Sequence, residues 1–135
     1  MSGSDNISTV KALYEAFGRG DVTFILDSLT DDVNWASETI ATGAPWFGVH
    51  KGKNGVGEFF DALGKSVEVE DFTPLAFATT DDGDVLTVVR YAARSRETGK
   101  VAKMNIHHWW RFTDGKVSYY RGSEDTATTV AILAG

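Results

Sequence analysis

The chain has 135 residues, 42% hydrophobic and 24% charged, the proportions of one folded domain spanning 1–135 around a single sizeable core. Its net charge of −6 and pI near 4.9, without any cluster of Lys or Arg, exclude phosphate backbones and anionic membrane surfaces as partners. The absence of cysteine removes disulfides, thiolate nucleophiles and thiolate metal sites. The opening MSGSDNIS lacks the charged and apolar regions of a signal peptide, and no apolar run approaches ~18 residues, so a cytoplasmic protein is expected.

Ile7, Val10, Tyr14 and Phe17 have amphipathic spacing and predict a helix over 6–18, capped by Asp5 or Asn6 and stopped at Gly18 or Gly20. Asp21 caps a second helix with Val22, Ile25, Leu26 and Leu29 on one stripe, and the short turn between them predicts a helical hairpin. Asp31-Asp32 ends this unit, after which Val33, Trp35 and Ser37 alternate as a short strand. Residues 39–53 hold glycines and a proline around Trp46 and Phe47 without a period, so a long loop is expected. Its aromatics either cover the mouth of a cavity or tack the loop to the core. Asn54 caps a third helix carrying Val56, Phe59, Phe60 and Leu63, with Gly64 as its stop.

From Ser66 onward the pattern is antiparallel sheet. Val67 and Val69 alternate, the phase slips near Asp71, and Pro74 argues for an edge strand or a bulge. Asp82-Gly83 leads into a long strand over 84–96, and the turn at 97–100 leads into a hairpin centred on Asp114-Gly115. Treating Asp114-Gly115 as a two-residue loop pairs Phe112 with Val117, Trp110 with Tyr119, and His108 with Arg121. Met104, Ile106, His108, Trp110 and Phe112 then share an inward face with Val117, Tyr119, Arg121 and Ser123. Centring the 97–100 turn sets Val89 opposite His108, Thr87 opposite Trp110, and Tyr91 opposite Ile106. The other face carries Leu86, Val88, Arg90, His107, Trp109 and Arg111. Three helices can cover only one of these two faces. The outer one, around Arg90, His107 and Trp109, is therefore expected to meet a second copy in a homodimer. The tail from Asp125 is either a last short helix or an extended segment.

Helices followed by one long, strongly bent sheet wrapped around the third helix make an α+β cone, a curved mixed or antiparallel sheet enclosing a pocket. An ordered set of residues carries a family resemblance. It comprises the run from Tyr14 to Asp21, Asp31-Asp32-Val33 with Trp35, Pro45-Trp46 with Gly48, Gly52 before the third helix, and Phe59-Phe60. It continues with Thr98-Gly99-Lys100, then His108, Trp110, Phe112 and Asp114-Gly115-Lys116, and Asp125-Thr126-Ala127. Together they resemble the SnoaL-like, ketosteroid-isomerase-related branch of the nuclear transport factor 2 (NTF2)-like superfamily. That superfold hosts isomerases, cyclases, dehydratases, epoxide hydrolases and binding domains, so the likeness implies a fold and a pocket more than a reaction. Carried over by position, the isomerase base falls on Ser37, the oxyanion aspartate on His108, and the helix-one tyrosine on Leu13 beside Tyr14. One acid of the limonene epoxide hydrolases would lie near Gly122. Both chemistries are thereby demoted.

His108, on an aromatic inward face, suits a base or a hydrogen-bond donor near neutral pH, and burial beside Arg121 would keep it neutral. Its bland alternative is a structural histidine. Arg121 offers a planar fork for a carboxylate or enolate oxygen, or else a salt bridge to Asp125, Glu124 or Glu38. Trp35, Trp46, Trp110, Tyr119, Phe17 and Phe60 would form walls, with Tyr14, Ser37 and Ser123 as further pocket contacts. His50 is expected to lie exposed in the loop. His107 and His108 point to opposite faces and cannot chelate together, so no metal and no cofactor is expected. These residues point to a small-molecule pocket protein. As an enzyme it would be a cofactor-free isomerase, cyclase or lyase for a small apolar or polyketide-like substrate; the alternatives are a ligand binder and an interaction module.

Overall fold

A computed structural model describes residues 3–134. Helix α1 (Gly3–Gly18) buries Asn6, Val10, Leu13, Tyr14 and Ala16, the stripe that periodicity requires. Asn6 lies inside the helix and is not its cap: its side-chain amide donates to the Gly83 carbonyl at 2.8 Å. The helix ends where Gly20 turns to φ 72° and Asp21 N–H reaches back to the Ala16 carbonyl at 2.8 Å. Asp21 then caps α2 (Val22–Asp27), accepting from Phe24 N–H at 3.0 Å. This helix is only six residues long, and Leu29, expected on its stripe, instead opens β1 (Leu29–Ser37).

The expected loop over 39–53 is loop only as far as residue 47. Strand β2 (Gly48–Lys51) follows, antiparallel to β1 with Trp35 opposite His50. Helix α3 (Gly52–Ser66) starts at Gly52, whose φ of 67° makes the sharp entry, so Asn54 is already inside the helix. It runs past Gly64, where the surroundings are open and the Lys65–Asp61 pair at 2.9 Å spans the same turn.

The remaining strands are β3 (Val67–Thr79), β4 (Val85–Ser95), β5 (Val101–Thr113) and β6 (Lys116–Ser123), and α4 (Thr126–Leu133) closes the chain. The six strands run β2-β1-β6-β5-β4-β3 in one mixed sheet; β1 and β6 are parallel, and the other neighbours antiparallel. Edge strand β3 carries bulges between Val69 and Asp71 and between Pro74 and Ala76, where the phase slip and the proline placed them. Such bulges bend a strand and let the sheet curl. Asp125 caps α4 by accepting from Thr128 N–H at 3.1 Å, so the tail is a helix.

Two registers differ from expectation, with different consequences. Between β4 and β5 the turn is centred one residue early, with Ser95 N–H donating to the Lys100 carbonyl at 2.8 Å. Thr87 therefore faces His108, Val85 faces Trp110, and Val89 faces Ile106. A two-residue slip leaves every side chain on its expected face. The β5–β6 hairpin slips by one. Asp114 (φ 50°) and Gly115 (φ 79°) make the expected tight turn, and Phe112 faces Val117. The extra residue Ser118 then bulges, its hydroxyl near the Thr113 hydroxyl (3.0 Å) and the Arg111 carbonyl (3.5 Å). Beyond it Trp110 faces Tyr120, Trp109 faces Arg121, and His108 faces Gly122. Tyr120 rather than Tyr119 points inward, and Arg121 points outward. An unpaired guanidinium among aromatic rings costs several kcal/mol, whereas Tyr120 inward stacks on Trp35 at 3.9 Å between centroids.

The helices pack on the concave face. Leu86 and Trp109 stay exposed on the convex side, and Leu75 is exposed at the second bulge of β3. No described helix is long and apolar enough to cross a membrane.

Candidate functional site

The concave face and the helices enclose a cavity of about 90 Å³ whose wall is mostly aromatic. Tyr14, Phe17, Trp35, Ser37, Trp46, Phe60, His108, Trp110 and Ser123 all line it. Arg121 and Tyr119 do not. Their side of β6 is the outer one, where the Arg121 guanidinium lies 4.2 Å from the Tyr119 ring centroid and 3.8 Å from a Glu38 carboxylate oxygen. It also donates to the Tyr120 and Asn34 carbonyls at 2.8 and 3.3 Å. Of the three carboxylates weighed as its partner, Glu38 is the one engaged. Among the described residues no Lys or Arg lines the cavity.

One end of the cavity is a hydrogen-bonded cluster. Tyr14 from α1 reaches Thr87 Oγ1 and His108 Nδ1, both at 2.7 Å, and accepts from Trp110 Nε1–H at 3.3 Å. The sheet register makes Thr87 and His108 direct cross-strand neighbours, with Trp110 two residues further along β5. When Tyr14 donates to Nδ1, Thr87 donates to Tyr14 and His108 carries its proton on Nε2. Nε2 makes no hydrogen bond with any described residue, and the His108 side chain is part of the cavity wall. The ring keeps some accessible surface, as a cavity wall must, while Phe72, Tyr14, Trp110 and Tyr120 pack around it. Burial, aided by the positive charge available to neighbouring His107, depresses its pKa to about 3. Arg121 contributes nothing to that shift. Burial likewise pushes the Tyr14 hydroxyl up to about 12, so it stays protonated.

The second polar group is Glu124, just past β6. One carboxylate oxygen accepts from Trp46 Nε1–H at 3.3 Å, and the other accepts from the Thr129 hydroxyl of α4. Burial outweighs both bonds and holds its pKa above the ordinary value. Trp46 is thus buried, lines the cavity and orients a carboxylate, merging the two roles considered for its loop. His50 is half-buried, its Nε2–H donating to the Trp46 carbonyl at 2.8 Å. The Ser37 hydroxyl leans toward the same carbonyl at 3.5 Å.

Sequence reasoning passed over Thr87, Tyr120 and Glu124 as site residues. Tyr120 was hidden by the bulge. Glu124 carried no signal, since its partners Trp46 and Thr129 come from a loop and the last helix. Among the described residues no three His, Cys, Asp or Glu side chains group as metal ligands.

The SnoaL-like domain profile matches residues 10–120. No curated protein sequence matches the chain. Among solved structures, an NTF2-like protein of unknown function from Burkholderia pseudomallei K96243 is 24% identical, superposes with a TM-score of 0.88, and is covered fully as this chain is. TerC, co-crystallised with polyporic acid, is 23% identical with a TM-score of 0.85, over 97% of this chain and 99% of its own. A candidate polyketide cyclase from Xanthomonas campestris pv. campestris is 18% identical with a TM-score of 0.76, over 97% and 98%. These likenesses establish an NTF2-like fold.

Proposed function

The chain belongs to the SnoaL-like domain family, and on that premise we propose that its cavity binds a small, largely apolar carbonyl compound and catalyses proton transfer beside the carbonyl. The protein would act as a cofactor-free isomerase, cyclase or lyase. The observation that carries this reading is His108, held neutral in an aromatic enclosure with Nδ1 occupied by Tyr14 and Nε2 unpartnered. An imidazole of such low pKa is a poor base. It is, however, a good neutral donor for an oxygen that gains charge as a carbonyl becomes an enolate. Arg121, expected to hold that oxygen, lies on the far side of the sheet. The bound polyporic acid of TerC and the name of the Xanthomonas protein support a cyclic, polyketide-like ligand.

The same proposal includes a cytoplasmic location and a homodimer whose second copy covers Leu86 and Trp109 beside Arg90 and His107.

A thermal-shift screen of small ketones and diketones tests the reading, since a ligand that binds only the folded state raises the melting point. Turnover of a hit by the wild type, lost in His108→Ala with affinity retained, marks the enzyme. A hit that is bound but never converted marks a binder, and no hit across the screen refutes the pocket.

A further inference from the structure

A proton leaving carbon needs an acceptor, and the cavity is short of them. His108 is held neutral and weakly basic, and burial keeps the hydroxyls of Tyr14, Tyr91 and Tyr120 protonated. Ser37 and Ser123 are neutral alcohols. Among the described residues Glu124 is the one carboxylate on the wall. Trp46 and Thr129 engage one lone pair on each of its oxygens and fix its orientation, and no other described residue hydrogen-bonds to that side chain. Its partial removal from water makes it a stronger proton acceptor than an exposed glutamate.

Building on the proton-transfer reading above, we propose that Glu124 is the base of this cavity and that the ligand is an uncharged, enolisable ketone whose oxygen rests on His108 Nε2–H. The carbon–hydrogen bond beside the carbonyl breaks and its proton passes to a Glu124 oxygen. Its electron pair forms the carbon–carbon double bond, while the carbonyl π pair moves onto the oxygen held by His108. Return of the proton to a different carbon gives an isomer. Attack of the enolate carbon on a second carbonyl carbon of the same molecule closes a ring: that carbonyl's π pair moves to its oxygen, which takes the proton back from Glu124, and the first carbonyl re-forms. No redox partner is involved. No Lys or Arg stands among the described residues of the wall, and this sets the charge: a carboxylate ligand would face Glu124 with none of them to balance it.

The test uses 2-indanone and 2-tetralone, uncharged ketones with acidic hydrogens beside the carbonyl, in deuterated buffer. Exchange is followed by NMR and binding by thermal shift. Wild-type protein is expected to bind a probe and speed exchange over buffer, whereas Glu124→Gln, which keeps partners for Trp46 and Thr129, binds it but exchanges about 100-fold more slowly. Should that variant not fold, the wild-type rate decides. It should rise with pH through one ionisation above about 4.5, with Tyr91, Tyr120 and Asp125 as the other titratable groups near Glu124. Undiminished exchange in Glu124→Gln, a rate without that limb, or wild-type binding without exchange each overturns the base and leaves the pocket standing. Failure of both probes to bind overturns the base together with the pocket.

Discussion

Acidification from pH 7.5 to 4.5 is expected to remove roughly 3 kcal/mol of stability through His108 alone. An unfolded histidine takes up its proton near pH 6.5, whereas folded His108 waits until about 3. Between those values the unfolded chain binds one more proton, so protonation pulls the equilibrium toward unfolding. His108's contribution is therefore complete above pH 6.5 and lost as pH falls toward 3, at about 1.36 kcal/mol per unit. At pH 4.5 the unfolded site is about 99% charged and the folded one hardly at all, which gives the figure above.

Glu124 works in the opposite sense. Its raised pKa disfavours the folded state at neutral pH, and that cost is relieved as pH falls. Other carboxylates titrate in the same window, so His108 is isolated by difference. Urea unfolding followed by tryptophan fluorescence is measured at four pH values for the wild type and for His108→Gln, which can still bond Tyr14. The stability difference should shrink by roughly 3 kcal/mol between pH 7.5 and 4.5. A difference flat to within about 0.5 kcal/mol would mean that the imidazole charges in place, which its aromatic surroundings forbid.

Three further outcomes follow from the same geometry. Tyr14→Phe keeps the ring against Phe72 but leaves Thr87, His108 Nδ1 and Trp110 Nε1 without their shared partner. It should cost about 2–4 kcal/mol in urea unfolding, and a loss below about 0.5 would show that the cluster is loosely held. Deleting Ser118 removes the bulge, turning Arg121 inward and Tyr120 outward. Circular dichroism should find the chain unfolded, at a cost above about 4 kcal/mol, and a folded deletion variant with its cavity intact would contradict the bulge's role. If a second copy covers the convex face, light scattering should give the wild type twice its 14.7 kDa chain mass, and Leu86→Glu with Trp109→Glu should give a monomer. A monomeric wild type would remove the dimer from the proposal.

Much of the cone was legible because burial writes a period into the chain. Ile7, Val10, Tyr14 and Phe17 show α1, and the lost alternation around Asp71 and Pro74 shows the bulges of β3. Strand β2 was not legible: four residues, alternately half-buried and exposed, are too few for a period to stand out from loop. The entry to α3 was missed because Gly52 with positive φ, rather than a capping side chain, turns the chain into the helix.

The bulge at Ser118 is the instructive failure. Alternation from Val117 selects Tyr119 and Arg121, while the alternative phase selects Tyr120 and Gly122, and adjacent tyrosines suit both. Three-dimensional packing breaks the tie. Tyr120 lies flat on Trp35, and its hydroxyl occupies the space that any side chain at position 122 would need, so only glycine fits there. Arg121 in the same place would be a cation taken out of water among aromatic rings, a desolvation cost that its outer position beside Glu38 avoids. An arginine that strict alternation puts inside an aromatic wall is thus itself a signal that the alternation has broken. Here moving it outward also keeps the guanidinium out of the cavity and leaves Glu124 as the one carboxylate among its described lining residues, which is why the chemistry proposed for the site turns on a single extra serine.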